Sequence, residues 1–493
     1  MRILMVASEA APFSKTGGLA DVVGALPRAL SRLGHAVDLV IPRYRGVTAG
    51  ESGGRFRVPL GNYSADATMF VHREGDVRTF LVDHPACFDR DGLYGSSGED
   101  YPDNPARFAF LSRAAVEWAA TSPEGYDVIH THDWQTALVP VFLKQGAAPA
   151  LRGVPVVFTI HNLAYQGLAD PSWLPRLGLS WELMQVNALE FWGRVSFLKA
   201  GVVFSQAIAT VSPNYAAEIQ TAEYGCGLDG LLRARAVDLV GIVNGIDYDQ
   251  WSPSSDPYLP EPFDAFRLHG KRAAKQRVLE LAGWPTDESS VLRPLVGLIS
   301  RMVDQKGFDL LVEIGDELLG LGARFVVLGT GERRYEDFWR ALAAKAPECV
   351  SVTVGFDEGM AHRIEGGADL FLMPSRFEPC GLNQLYSQRY GTVPVVRATG
   401  GLRDTVINYD AVTATGTGFA FVEYSARALL GTLRWALSVF EDRAVWTRIQ
   451  VAGMQQDFSW DRSARQYVSL YERAVSGGVA HARTSPPHDI GDQ

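Results

Sequence analysis

Short apolar runs alternate with longer stretches of helical periodicity, and the whole series occurs twice in this chain. Such alternation admits few folds. Each apolar run is too short for a helix and has no polar face, so it must be covered on both sides, as in a parallel sheet wrapped by helices. In the first half the expected strands are Ile3–Ala7, Val37–Ile41, Val128–His130, Val156–Thr159 and Ile208–Val211, with helices such as Ala20–Leu33 and Arg107–Ala120 between them. Within Ala20–Leu33, Val22, Val23, Leu26, Leu30 and Leu33 fall near one face. The second series has strands Leu295–Ile299, Phe325–Leu328, Val350–Val354, Leu370–Met373 and Val393–Val396, with helices Asp309–Leu321 and Tyr335–Ala346.

Between the two series, Trp251–Phe266 holds four prolines and little periodicity, and reads as a linker. The expected organisation is therefore an α/β protein of two Rossmann-like, doubly wound domains facing across a cleft. The domains are 1–250 and 267–460, with the linker at 251–266, a helix at 461–475 packing back on the first domain, and a disordered tail at 476–493. Ligands of open parallel sheets bind beyond the carboxyl ends of the strands, so the chemistry is expected in the cleft.

A net charge of −10 disfavours nucleic acid and anionic membranes as partners. Four scattered cysteines with no Cys-x-x-Cys pair argue against a disulfide scaffold or a cysteine zinc site, and suit a reducing compartment. The first apolar run is too short for a signal sequence, and no segment approaches a membrane span, so the cytoplasm is the expected address.

The loop from Pro374 to Asn383 follows the strand Leu370–Met373 and carries one acid, Glu378, ahead of Cys380, Gly381, Leu382 and Asn383 at a helix start. A helix start offers unpaired N–H donors to phosphate, and an acid grips sugar hydroxyls, which is what a sugar-nucleotide enzyme needs. Lys15 with Gly17 and Gly18 lies between the first strand and its helix, as a phosphate-approaching turn or a plain tight one. Arg301 and Lys306 flank the loop after Leu295–Ile299, either to neutralise a departing diphosphate or as solvated charges. Asp133 and Trp134 follow the strand that carries His130 and His132. Asp133 either holds a sugar or caps the next helix, and the two histidines are expected on opposite faces, which makes a metal site awkward. His161 and Asn162 follow another strand, and Thr399 with Gly400 forms a further glycine turn, which alone favours a structural reading.

Taken together and in order, several pieces resemble the bacterial glycogen synthase and plant starch synthase family. They are Lys15–Leu19, His132–Trp134, Ile160–Gly167, Val243–Asp247, Ser300–Arg301 with Lys306–Gly307, Ser375–Asn383 and Thr399–Leu402. The resemblance implies a GT-B glycosyltransferase that moves glucose from ADP-glucose to the non-reducing end of an α-1,4-glucan such as glycogen, with retention and with neither metal nor cofactor. It implies that Lys15, Gly17, Gly18, Arg301 and Lys306 contact the diphosphate and that His161 touches the transferred glucose. It also implies that Glu378 and the N–H groups of Cys380–Asn383 hold that glucose, and that Asp133 and Asn244 line the sugar and acceptor side. Asn162, Thr399 and Gly400 join the substrate-binding set.

Two positions depart from the wider pattern. Tyr386 stands where many retaining relatives carry a second Glu, which the glycogen synthase branch also lacks. Phe356 stands where the family often has Tyr, and can still stack on the donor base. The rival readings are a nucleotide-sugar epimerase and a non-catalytic glucan-binding protein on the same fold.

Overall fold

The computed structural model describes residues 1–96 and 98–477, so from position 478 on the expected tail lies outside the described residues. The chain divides into two compact units. One comprises Met1–Thr210, Ile219–Val240 and the chain from Ala464, and the other Val211–Glu218 and Gly241–Ser463. This differs from the boundaries read in the sequence. Residues 251–266 are part of the second unit because their side chains are built into it. Trp251 stacks between the rings of His362 and Tyr386 at centroid distances of 3.8 and 3.9 Å. Asp256 accepts from the Tyr390 hydroxyl at 2.5 Å and lies 2.7 Å from His362 Nδ1, and Phe263 is buried. Proline content marked an irregular backbone here, not a free tether.

Among the described residues, the first unit is built on a nine-stranded sheet. Its strands are β1 (Arg2–Val6), β2 (Ala36–Pro42), β3 (Glu51–Leu60), β4 (Tyr63–Glu74), β5 (Val77–Asp83), β6 (Val128–His132), β7 (Val156–Ile160), β8 (Ala207–Thr210) and β9 (Leu239–Gly241). They lie in the order β9-β8-β7-β6-β1-β2-β5-β4-β3. β1 pairs in parallel with both β2 and β6. Strands β3 and β4 extend the sheet antiparallel beyond β5. Helix α1 (Gly18–Arg32) buries Val22, Val23, Leu26 and Leu30, while Leu33 falls just past its end and is half-buried. Helix α2 (Asn104–Ala119) buries Phe108 and Leu111.

In the second unit β10 (Leu295–Ile299), β11 (Arg324–Gly329), β12 (Val350–Val354), β13 (Leu370–Met373), β14 (Val393–Arg397) and β15 (Phe419–Phe421) form an all-parallel sheet in the order β12-β11-β10-β13-β14-β15. By sequence rank this is 3-2-1-4-5-6, the Rossmann order, whose direction reverses between β10 and β13. Alternation along each strand feeds two cores. Val296, Leu298, Phe325, Val327, Leu370 and Leu372 enter one, and Leu295, Val326, Leu328, Phe371 and Met373 enter the other.

The expected helix at 309–321 is two, α3 (Phe308–Glu313) and α4 (Gly315–Leu319), broken at Ile314. The remaining helices used below are α5 (Arg333–Lys345), α6 (Asn383–Arg389), α7 (Gly400–Thr405), α8 (Ala426–Phe440) and α9 (Trp460–Val475). From Ala464 onward α9 belongs to the first unit, where Tyr467 and Tyr471 are fully buried. Among the described residues, no helix is long and apolar enough to cross a membrane.

Candidate active site

In the second unit the loops after β10 and β13 leave the sheet at its switch point. The first carries Arg301 and Lys306, the second Glu378. Gly307 lets the loops meet: its φ is +77°, and a Cβ there would sit 2.1 Å from the Pro374 carbonyl oxygen. Across the seam, Lys306 Nζ donates to Glu378 Oε2 at 2.6 Å, and Ser375 Oγ donates to the same oxygen at 2.9 Å. The pair is largely withdrawn from solvent, with side-chain exposures of 19% and 6%. Arg301, in the same loop as Lys306, is exposed.

The Glu378 backbone is clamped from behind. Gly401 N–H donates to its carbonyl at 3.0 Å, and Gly400 (φ +45°) leaves no room for a Cβ, which would fall 1.9 Å from that oxygen. Thr399 and Gly400, expected to face substrate, here donate to Glu218 Oε1 at 3.1 and 2.9 Å. Asn383 Nδ2 donates to the Ile299 carbonyl at 2.7 Å, tying α6 to the end of β10. Gln384 Nε2 donates to the carbonyls of Cys380 and Gly381, both at 3.0 Å. Gly381 takes a left-handed conformation (φ +74°), and Leu382 precedes the first helical residue.

Burial pushes the Cys380 thiol up to about 12, and the Asn244 N–H bonds to it, so it is no nucleophile at neutral pH. Asn244 is itself buried, and its Oδ1 has no protein partner. Tyr386 is locked in the Trp251 stack, so nothing acidic can approach from that position. Phe356 follows β12 and is 85% exposed, an open ring face.

In the first unit the corresponding loops follow β1 and β6. After β1, buried Glu9 accepts from the Thr16 N–H at 2.7 Å and the Thr16 hydroxyl at 2.8 Å, shaping the turn that bears Lys15, Gly17 and Gly18. Lys15 pairs with Asp21 at 2.6 Å on a half-exposed surface. After β6, Asp133 adopts φ +55° and does not cap the following helical turn. Its Oδ1 instead accepts from the His161 N–H at 2.7 Å, and the Asn162 N–H also donates to its carboxylate. Asn162 Oδ1 in turn accepts from Ala164 N–H at 3.1 Å.

Desolvation raises the carboxyls of Asp133 and Glu9 to about 7, with the Glu9 charge a smaller cause at Asp133 and the Asp21 charge a smaller cause at Glu9. Desolvation also lowers His161 and His130 to about 3, so both rings are neutral at pH 7. His161 Nε2 lies 3.0 Å from His132 Nδ1. The expectation that His130 and His132 face opposite ways is wrong. β6 runs through His132, residues two apart on a strand share a face, and the ring centroids are 4.0 Å apart. His130 is structural, lying 2.6 Å from Thr159 Oγ1 and 2.8 Å from the Tyr471 hydroxyl of α9. Among the described residues no cluster of three or more His, Cys, Asp or Glu could hold a metal ion. Glu9 and His132 were not among the site residues read from sequence. The signal for Glu9 was its place just past the carboxyl end of β1, beside the glycine turn.

Two Rossmann units in one chain, the second gathering its charge at the strand-order reversal, are the architecture of GT-B glycosyltransferases. Residues 2–234 match the starch synthase catalytic domain family, and residues 288–449 match glycosyl transferases group 1. The chain is 48% identical to a glycogen synthase of Koribacter versatilis over 96% of this chain and 98% of that protein. It is 50% identical to one of Anaeromyxobacter dehalogenans over 96% and 99%. The solved catalytic domain of starch synthase IV from Arabidopsis thaliana, bound to ADP and acarbose, matches with a TM-score of 0.88 and 35% identity, covering 96% of this chain and 99% of that one. This chain belongs to the glycogen synthase and starch synthase family of glycosyltransferases.

Proposed function

We propose that this protein is a glycogen synthase that transfers glucose from ADP-glucose to the non-reducing end of an α-1,4-glucan with retention of configuration, without metal or cofactor. The observation that carries the reading is the Lys306–Glu378 pair at the Rossmann switch point, in a loop that also carries Arg301. Cleaving a glucosyl–phosphate bond leaves positive character on the anomeric carbon and negative charge on the diphosphate. Arg301 and Lys306 are suited to the second of these, Arg as a bidentate partner and Lys as a point charge. A diphosphate that draws Lys306 toward itself frees Glu378 to accept hydrogen bonds from glucose hydroxyls, while the N–H groups of Cys380–Asn383 supply donors. Phe356 offers a face for the donor base.

In the first unit Lys15 and the Gly17–Gly18 turn supply a cation and N–H groups to phosphate. His161, Asn162 and Asp133 present sugar-facing groups, and Asn244 in the second unit adds an amide. His161 acts as a neutral hydrogen-bonding ring. With Cys380 protonated and Tyr386 held in a stack, same-face attack is the favoured course, the leaving phosphate oxygen taking the acceptor's proton. Four free cysteines fit a reducing, cytoplasmic setting.

The deciding experiment sets ADP-glucose against UDP-glucose with glycogen present and follows chain growth. Elongation preferring ADP-glucose is expected. Failure to elongate with either donor, or formation of an epimerised or free sugar alone, rejects the reading.

A further inference from the structure

The Lys306–Glu378 contact joins two loops whose bearers are 72 positions apart in sequence, and the first of them is paired to the loop after β11 only at Met302, through the bridge to Gly331. Their alignment comes from a network on their outer side, centred on Tyr424 in the loop between β15 and α8. The Tyr424 hydroxyl donates to Asp309 Oδ1 at 2.5 Å and lies 3.4 Å from the Asp304 carbonyl. Asp309 sits in the first turn of α3, just past Lys306. Its other oxygen accepts from Arg376 Nη2 at 2.8 Å. The Arg376 guanidinium lies 4.4 Å from the centroid of the Tyr424 ring, and that of Arg397 lies 5.3 Å away.

Arg397 then bonds to the Arg376 carbonyl and, at 3.1 Å, to the Val422 carbonyl. Arg376 N–H donates to the Gln305 carbonyl at 2.9 Å, and Gln305 Nε2 reaches the Phe377 carbonyl at 3.5 Å. One phenol thus touches the backbone or side chains that immediately precede Glu378 and flank Lys306. The remaining charge nearby, Asp304, is engaged by Arg334 at 2.5 Å and by the Tyr335 hydroxyl.

We propose that Tyr424, acting through Asp309 and Arg376, is a positioning residue that fixes the Arg301–Lys306 loop against the Glu378 loop and so sets the geometry in which Lys306 meets the donor diphosphate. The proposal deepens the glycogen synthase reading and rests on it. One Asp309 oxygen takes the Tyr424 hydroxyl and the other takes Arg376, so this single carboxylate ties the start of α3, just past Lys306, to the Glu378 loop and to the β15–α8 connection. Misplacing a charge-stabilising group by a fraction of an ångström costs rate before it costs fold, since a shift of about 1 Å can cost on the order of 10²-fold.

Tyr424→Phe keeps the ring between the guanidiniums and deletes only the hydroxyl bond, while Asp309→Asn weakens both bonds. Measured on the full chain, each variant is expected to lower kcat about tenfold, within the range for a mispositioned group. ADP should bind several-fold more weakly by calorimetry, the KM for glycogen should stay unchanged, and Tm should stay within a few degrees of wild type. The double variant should be no worse than the weaker single one, because both cut the same link. Turnover and ADP affinity within twofold of wild type in both variants overturn the proposal. So do fully additive losses, or losses that track a falling Tm. The ADP-binding arm needs no glucan acceptor. Absent chain growth in wild type with intact, Tyr424-dependent ADP binding would reject the glucan reading and leave the positioning role standing.

Discussion

Replacing Asp133 by Asn should make the protein more stable, and by an amount that depends on pH in a direction the structure dictates. Asp133 is half-buried just past β6, and its carboxyl is raised from 3.8 to about 7 because desolvation disfavours the charged form. Asn keeps an acceptor for the His161 N–H, now 2.7 Å from Oδ1, and has the size and branching of Asp, so the strained backbone at φ 55° and ψ −178° costs both residues alike. A raised acid favours the folded state below its unfolded pKa and loses that advantage as pH climbs to the folded value. Some three pH units at 1.36 kcal/mol each give a cost of about 4 kcal/mol for the wild type at pH 8. At pH 5.5 the same linkage gives about 2 kcal/mol, and near pH 4 almost nothing.

The Asn variant should therefore gain about 2 kcal/mol more at pH 8 than at pH 5.5. Scanning calorimetry at the two pH values reads the gain as a shift of roughly 2–4 °C per kcal/mol in the transition of the first unit. Turnover should fall while stability rises, as when a strained functional carboxylate is neutralised. A variant no more stable than wild type at pH 8, or equally stabilised at both pH values, would refute the argument that burial sets this carboxyl.

Lys306→Ala should lower kcat by roughly 10²–10³, the scale for one lost charge-stabilising donor, and should also destabilise the second unit because Glu378 would be left buried without its cation. Steady-state kinetics with a parallel melt separates the two effects. For His161, whose ring is neutral down to about 3, the pH–rate profile between 5.5 and 8 should show no histidine limb. A limb near 7 should belong to the carboxyls and should shift in Glu9→Gln, with proton-exchange NMR of the ring as the check. Trp251→Ala removes the ring held between His362 and Tyr386 and should cost about 3 kcal/mol in the second unit's transition, at the low end for buried aromatics.

The parallel strands were legible because strands covered on both faces must be apolar throughout. All ten expected strands are present within two residues of their observed ends. The antiparallel extension was not legible. β3 is mostly exposed and contains two glycines, so its sequence carries neither an apolar run nor a clean alternation. The segment Val211–Glu218 continues the first unit's pattern yet belongs to the second, because allegiance is decided by partners such as Thr399 and Asp404, nearly two hundred positions away.

Lys306 and Glu378 were legible as candidates because each sits in a loop motif after a parallel strand. Their bond to each other was not, since nothing local links positions 306 and 378. Asp133 was left between capping and function because its positive φ, which turns the carboxylate toward His161, has no signature in a non-glycine residue.

The chain passes between the two units at 210–211, 218–219, 240–241 and 463–464. Neither unit is therefore one continuous stretch of gene. A fragment starting at residue 241 would lack the Asn214–Glu218 turn and would uncover the Thr399 hydroxyl, the Gly400 N–H and the Asp404 carboxylate that this turn now covers. Chimeras with relatives that cross over near residue 241 would graft a foreign Glu218 turn onto the native Thr399–Gly400 bend. Crossovers placed before residue 211 would carry the two together.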